Sequence, residues 1–386
     1  MKNLKRTQSF LSADSVGLCR VTKLATDILQ ANENWKWYPA AANGYKHYIC
    51  SLTVDSELNV YICGVNSDQT DKSGDVWSAK LDQYGNLLWM RSFDFQGASD
   101  FSSAIAIAQG GGIFIAGAGK MSIEKGNYNA WLLRLDQNGA LLWSKSFGED
   151  PKRFSEFSCV QALPDGGAML LYEHADTQQV PRVGILRVDA SGAKLLESSS
   201  PTASNRMANC MQWHDGGILY LTRGQQLLLN KININGNSIW TMSHNLYTSP
   251  FIHINLCLTV DRTNNIFICA SIQPQEKIEY QKSIARILKL DTSGSILWER
   301  TYAVENSNII IESLFVDASN VVWGIGRKDD APWLFSIKQN NGSILSERIP
   351  QDINWPHQLI VSSTGRSFIA GYSVDRSDCI VSYKLL

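Results

Sequence analysis

The stretch AWLLRLDQNGALLW, from Ala130 to Trp143, decides how this chain folds. An apolar run lies on each side of the polar tetrapeptide Asp136 to Gly139, as in two strands joined by a tight turn. Glycine takes the positive φ of such a turn without a steric penalty, so the stretch predicts a β-hairpin. Related phrases with an aligned glycine run from Val76 to Trp89, Gly184 to Leu196, Leu227 to Trp240, Ala285 to Trp298 and Pro332 to Leu345.

A second hairpin pattern alternates with the first, as in CSLTVDSELNVYICG from Cys50 to Gly64. Two hairpins per unit give four strands, and four strands in a period of roughly 50 residues are typical of a β-propeller. The last copy, Leu359 to Gly371, is followed by one more strand-like stretch, Asp378 to Lys384, so its unit lacks a fourth strand. The number of residues between the stretch Asn34 to Tyr38 and the first unit is about the same as that between Trp89 and the second unit. We therefore predict an all-β, seven-bladed β-propeller with four-stranded blades, the last closed by an N-terminal strand that removes exposed sheet edges.

The repeated phrase, with aspartate and glycine in its turn and a tryptophan in the following strand, resembles the repeats of bacterial propellers of the quinoprotein-like (PQQ-like) class. The resemblance covers the chain from about Trp35 onward and implies the propeller fold. It assigns no function, because such propellers include cofactor-bearing dehydrogenases, assembly scaffolds and secreted adhesive modules. The sequence departs from the quinone-dependent enzymes in having seven units, no clear calcium-ligand set and no vicinal cysteine pair. We therefore carry over the fold and expect no cofactor.

Residues 1–30 stand outside the repeat and form a predicted N-terminal extension to a propeller domain over residues 31–386. Apolar residues recur with a helix-like period between Ser12 and Gln30, and Ser12 or Asp14 can cap such a helix. A short helix is one interpretation of this extension, and a disordered or strand-like arm is the other.

Charge and cysteine usage limit the classes of partner. The formal net charge of −1, without long runs of like charge, argues against a dedicated nucleic-acid surface or a polybasic membrane anchor. No stretch has the length of a membrane-spanning helix, and the region from Thr7 to Arg20 lacks the apolar core of a secretory signal. The eight cysteines have no CxxC spacing, and most lie in apolar strand-like runs, so we interpret them as buried thiols in a reducing compartment. We expect a cytoplasmic monomer that binds neither nucleic acid nor membrane and holds no metal.

The tryptophans fall into two groups. Trp89, Trp143, Trp240 and Trp298 recur at one position of the repeat, which predicts packing between blades. Trp35, Trp37, Trp213 and Trp355 fall outside this register. Trp355 lies in a link between units and is the candidate for stacking against a ligand.

Functional residues are expected on the face of the propeller that carries the longer, irregular links, here called the top face. Val65 to Asp75 and Gln273 to Ser283 are two such links. The innermost strands also begin on this face, so their first residues surround the mouth of the central channel. Imidazole and carboxylate groups there can exchange protons near neutral pH. The acid–base candidates are His47, His253, His357, Glu156, Glu312 and Arg206, and the ligand-binding candidates are Tyr48, Asp100, Asn205, Asn255 and Trp355.

Two classes of function stay open at this point. A binding module for a small molecule or peptide on the top face is favoured, because GxSxG, HExxH and EF-hand motifs are absent from the sequence. The alternative is a cofactor-independent enzyme of lyase, cyclase or hydrolase type with acid–base residues in a top-face pocket. A third hypothesis, a quinone-dependent oxidoreductase, is supported by the resemblance alone.

Overall fold

A computed structural model of the chain describes residues 34–39, 46–67, 74–94, 100–120, 128–147, 155–175, 181–201, 211–223, 227–244, 251–274, 282–303, 307–350, 352–362, 364–373 and 378–384. The regular elements in these ranges are all β-strands, and no helix occurs among them. The helix predicted between Ser12 and Gln30 lies outside the described residues.

Within the described ranges the strands form seven four-stranded antiparallel sheets. The first strand, β1 (Trp35–Trp37), belongs to the last of them. Sheet 1 contains β2 (Lys46–Val54), β3 (Val60–Ser67), β4 (Val76–Leu81) and β5 (Leu87–Phe93). Sheet 2 contains β6 (Asp100–Ile107), β7 (Ile113–Lys120), β8 (Tyr128–Leu135) and β9 (Leu141–Phe147). Sheet 3 contains β10 (Ser155–Ala162), β11 (Ala168–Ala175), β12 (Pro181–Val188) and β13 (Lys194–Pro201).

The remaining sheets repeat this order. Sheet 4 contains β14 (Met211–His214), β15 (Gly217–Arg223), β16 (Leu227–Asn233) and β17 (Ser238–His244). Sheet 5 contains β18 (Phe251–Val260), β19 (Ile266–Pro274), β20 (Ile284–Leu290) and β21 (Ile296–Tyr302). Sheet 6 contains β22 (Ile309–Val316), β23 (Val322–Lys328), β24 (Ala331–Ile337) and β25 (Ile344–Arg348). Sheet 7 contains β26 (Trp355–Val361), β27 (Arg366–Tyr372), β28 (Asp378–Lys384) and, paired with β28, β1.

The repeated turns have the conformation that their glycines predict. Gly139 has a φ of 78°, and the Asp136 carboxylate accepts the backbone N–H groups of Asn138 and Ala140 at 2.8 and 2.9 Å. An aspartate at the start of the turn therefore satisfies two main-chain donors that would otherwise face solvent. The aligned glycines with positive φ are Gly85, Gly139, Gly192, Gly236, Gly294 and Gly342, so the hairpin prediction is confirmed.

Outer-strand tryptophans join several of the sheets to the sheet that follows. The Trp89 ring lies against Gly139, where a Cβ atom would come within 2.8 Å of the indole, and Trp89 Nε1 donates to the Gln137 carbonyl at 3.1 Å. Trp143 and Trp298 make the same type of bond to the turn of the following sheet. The predicted packing role is confirmed. The placement of Trp35 outside this register was wrong, because Trp35 donates to Gln83 at 3.1 Å and covers Gly85 in the same way.

Apolar side chains fill the space between neighbouring sheets. Sheet 7 packs against sheet 6 through Leu359 and Trp323, and against sheet 1 through Phe368 and Ile62. Further clusters join sheets 1 and 2, sheets 2 and 3, sheets 3 and 4, and sheets 4 to 6. The predicted all-β propeller with four-stranded antiparallel blades is therefore confirmed.

The prediction of buried thiols holds for part of the described cysteines. Cys63, Cys257 and Cys269 are buried and form no disulfide, whereas Cys50 and Cys159 are partly exposed. Burial raises the pKa of Cys63 and of Cys257, because a thiolate in an apolar core loses its hydration. These buried thiols are therefore protonated and unreactive at neutral pH.

Candidate functional site

A cavity of about 810 Å³ lies between the inner strands of the propeller. Its described lining comes from the first strands of sheets 1, 2, 3, 5, 6 and 7, together with Tyr372 from the second strand of sheet 7. The wall combines apolar side chains such as Ile105 and Phe315 with polar ones such as Glu312 and His357. This composition suits a polar ligand that also carries an apolar surface.

β-Bulges determine which polar side chains enter the cavity. In six sheets the pairing of the first two strands slips by one residue, which inserts an extra residue into the inner strand. Such an insertion bends the strand and redirects a side chain. The inserted residues are Cys50, Ser103, Ser158, Ile254, Glu312 and His357. The side chain of Ile254 lies outside the described part, and the other five inserted residues line the cavity.

Asn255 links sheet 5 to the bulge of sheet 6. Its Nδ2 atom lies 2.9 Å from Glu312 Oε2, 2.9 Å from the Glu312 carbonyl oxygen and 3.1 Å from the Ile311 carbonyl oxygen. Its Oδ1 atom accepts the N–H of Leu256 at 2.9 Å. Both ends of the amide are therefore bonded, which fixes its orientation and that of the Glu312 carboxylate.

Arg327 holds the other oxygen of the same carboxylate. Its Nη2 atom donates to Glu312 Oε1 at 3.1 Å, and both side chains are largely buried. The guanidinium group also lies over the Trp355 ring of sheet 7, 4.1 Å from the ring centroid. A planar cation over an indole face is a favourable arrangement, so Arg327 connects the carboxylate of sheet 6 to an aromatic surface of sheet 7.

Sheet 7 contributes an aromatic wall beside this ion pair. Trp355 and Tyr372 stand directly opposite each other on β26 and β27, and their side chains are 45% and 36% exposed. The His357 ring packs edgewise against the Tyr372 ring, with 6.3 Å between the ring centroids. Desolvation lowers the pKa of His357 to about 4, so its imidazole is neutral at pH 7. We refer to Asn255, Glu312, Arg327, Trp355, His357 and Tyr372 as the mouth cluster.

The connection between β23 and β24, which follows Arg327 in the chain, is short. β23 ends at Lys328 and β24 begins at Ala331, so only Asp329 and Asp330 join them on the top face. Asp329 has a φ of 55° and bonds with Asn308 through both its backbone N–H and its carboxylate. The long, irregular link expected at this position is therefore absent from sheet 6, and only this two-residue turn connects the strands beside the mouth cluster.

The structure brings four of the predicted site residues together, namely Asn255, Glu312, Trp355 and His357. His47 stands apart from them, since its ring packs edgewise against Trp77 within sheet 1, 5.7 Å between centroids. Asp100 is buried at the start of β6, and its N–H donates to the Gly74 carbonyl at 2.7 Å. Tyr48 and Glu156 lie near the starts of β2 and β10. His253 lies on β18, where its side chain is outside the described part, and Asn205 and Arg206 lie outside the described residues altogether.

Arg327 and Tyr372 were missed by the sequence reasoning, which considered only the starts of inner strands. Each directly follows a glycine of a second strand, Gly326 or Gly371, where a Cβ atom would collide with an inner-strand carbonyl. Gly64 occupies the same position in sheet 1 and is followed by valine. Alignment on these glycines would have shown that large polar or aromatic residues follow them in sheets 6 and 7.

The described residues contain no group of three or more His, Cys, Asp or Glu side chains that could hold a metal ion. No helix long and apolar enough to cross a membrane was found in the described ranges.

Comparison with known proteins supports the fold alone. No family model and no curated protein matches the chain, so no comparison identifies a PQQ-like family. The β-propeller domain of the Trilobed protease from Pyrococcus furiosus, described as having an open velcro topology, is 12% identical and aligns over 89% of this chain and 94% of that one, with a TM-score of 0.51. Pyrococcus horikoshii acylaminoacyl peptidase is 10% identical over 88% of this chain and 52% of that one, with a TM-score of 0.52. A protein of unknown function from Dyadobacter fermentans is 8% identical over 90% and 96%, with a TM-score of 0.49.

Proposed function

We propose that this chain is a ligand-binding propeller and that its mouth cluster recognises a small molecule or a peptide on the top face. The observation that carries the proposal is the continuous contact from Asn255 through Glu312 and Arg327 to Trp355, which spans sheets 5, 6 and 7. Side chains from three sheets are held beside a cavity, and the largest of them, Trp355, stays 45% exposed. Exposed aromatic groups beside bonded polar groups are typical of recognition sites.

We also propose the architecture that positions this site, a ring of seven blades formed by residues 31–386 and closed by β1, with residues 1–30 as an extension. The pairing of Trp35–Trp37 with β28 supports it, as does the packing of sheet 7 against sheets 6 and 1. The Gln358 side chain adds a bond in each direction to the Leu52 backbone, at 2.8 and 3.1 Å. A ring keeps the three sheets of the mouth cluster in fixed positions.

A cofactor-independent enzyme is the second candidate, because His357 and Glu312 both line the cavity. A general base works best when its pKa is close to the working pH. The pKa of His357 is about 4, which makes its neutral imidazole a weak base. This favours binding over proton-transfer chemistry at neutral pH.

Library screening tests the binding proposal. The whole chain is screened by thermal shift against a diverse fragment library and a library of short peptides, and the affinity of each hit is measured by calorimetry. Replacing Arg327 with Gln removes the group that connects Glu312 to Trp355, so we expect hits to lose about tenfold in affinity or more.

The matched control is Arg262→Gln. Arg262 lies beside the Asp261 turn at the opposite end of its inner strand, away from the top face. This control should leave the affinities unchanged. Hits that bind both variants as tightly as the parent protein would place recognition elsewhere and refute the proposal. Product formation from any hit would favour the enzyme instead.

A further inference from the structure

We infer that the mouth cluster binds a saccharide, with one face of a pyranose ring against Trp355 and ring hydroxyls on the Glu312–Arg327 pair. The inference rests on the proposed binding function and names its ligand class. Three properties of the cluster carry it, namely its charge balance, its hydrogen-bonding capacity and its exposed aromatic surface.

The first property is charge balance. Glu312 and Arg327 carry opposite charges 3.1 Å apart. A charged ligand at this site would meet attraction and repulsion at nearly equal distances, so its net Coulomb gain is small. The adjoining segment, Lys328 to Asp330, carries one net negative charge, and solvent screens its exposed carboxylates, Asp329 and Asp330. A neutral polar ligand therefore fits the pair best, and a cation is the competing class.

The second property is hydrogen-bonding capacity. Carboxylate oxygens accept more than one bond, and a guanidinium group presents five N–H donors in a rigid fork. Each Glu312 oxygen has one side-chain donor, and Arg327 makes one side-chain hydrogen bond among the described residues. Hydroxyl groups both donate and accept, so neighbouring hydroxyls of one ring can donate to Glu312 and accept from Arg327 at the same time.

The third property is the Trp355 surface. Arg327 covers part of the indole at 4.1 Å, yet 45% of the side chain remains accessible beside Tyr372. A pyranose ring has C–H groups on its faces and hydroxyls around its edge. It can therefore bury an apolar face against an indole while its edge reaches polar groups, as amphipathic ligands do in mixed pockets.

Ligand-observed saturation-transfer NMR on the full chain tests the inference. The probes are methyl β-D-glucopyranoside, methyl α-D-mannopyranoside and cellobiose, with choline for the cationic class and benzoate for the anionic class. The variants are Trp355→Leu, which removes the aromatic surface, and Glu312→Gln, which keeps the shape and removes the charge. Tyr38→Leu is the matched control, because Tyr38 is 41% exposed and follows the outer strand β1.

We expect at least one saccharide to bind, with choline and benzoate silent at the same concentration. Trp355→Leu and Glu312→Gln should each weaken binding about tenfold or more, the usual effect of losing an aromatic contact or a charged hydrogen-bond partner. Tyr38→Leu should change it less than about twofold, as expected for a residue outside the site.

Other outcomes separate this inference from the proposed function. Trp355-dependent binding of choline or benzoate without any saccharide would overturn the ligand class and leave the site in place. Saccharide binding that both variants leave intact would overturn the inference. If no probe binds, the saccharide assignment falls, and if the library hits are also insensitive to Arg327→Gln, the proposed function falls with it.

Discussion

His357 is a titratable residue whose surroundings in the folded protein disfavour its protonated form. It is the inserted residue of the sheet 7 bulge, lines the cavity and contacts Tyr372. Its pKa is about 4 in the folded protein, against 6.5 for an unperturbed histidine. Below pH 6.5 the unfolded chain therefore binds a proton that the folded chain does not, so acid favours unfolding.

Replacing His357 with Gln should remove this pH dependence. Relative to the variant, the parent protein should lose unfolding free energy as the pH falls from about 6.5 to about 4. The expected loss is on the order of 1 to 3 kcal/mol, because each pKa unit corresponds to about 1.4 kcal/mol and the partial exposure of the imidazole reduces the effect. Urea unfolding of both proteins between pH 7 and pH 4 measures it. His214 and His244, whose pKa values burial also lowers, contribute equally to both proteins. Parallel stability curves would contradict the buried neutral imidazole.

The sequence predicts the structure of a single hairpin better than it predicts which side chains meet at the candidate site. Turn glycines and alternating apolar residues predicted the antiparallel pairs, because both signals are local along the chain. The bulges that insert Glu312 and His357 leave no such trace, since a one-residue slip depends on which strand pairs alongside. Arg327 meets Trp355 only because two sheets pack side by side, which periodicity within either sheet does not specify.

The outer-strand packing gives a test at the same scale. Sheet 3 has leucine at the tryptophan position, and there the Leu196 side chain lies where a Cβ on Gly236 would be. Trp89→Leu therefore makes sheet 1 resemble sheet 3 and removes the indole bond to Gln137. We expect a loss of about 1 to 2 kcal/mol in unfolding free energy, the sum of one hydrogen bond and part of an aromatic contact.

Chemical denaturation followed by circular dichroism measures that loss. Leu88→Ala on the same strand is the control, because Leu88 is 52% exposed and its truncation should cost less than about 0.5 kcal/mol. Equal effects of the two substitutions would show that Trp89 does not contribute to packing between sheets.

Across the whole molecule, β1 is the described strand that lies most distant in sequence from its partner. The sequence predicted its place from the three-stranded last unit and from the spacing of Asn34 to Tyr38, and Trp35–Trp37 does pair with β28. The two tryptophans differ in their contacts: Trp35 packs against Phe368 of sheet 7 and Gly85 of sheet 1, whereas Trp37 lies near Trp77. A three-residue strand therefore reaches two sheets at once.

Trp35→Ala tests whether this short strand closes the proposed ring. The substitution removes a part-buried indole and its bond to Gln83, so the unfolding free energy should fall by about 2 kcal/mol or more. If β1 closes a single ring, all seven sheets should lose stability together in one cooperative transition, seen as a uniform rise in amide hydrogen exchange. The control is Lys36→Ala, whose exposed ion pair with Asp352 at 2.8 Å should contribute less than about 1 kcal/mol. Faster exchange confined to sheet 7 would mean that the strand supports its own sheet and that the other six stand without it.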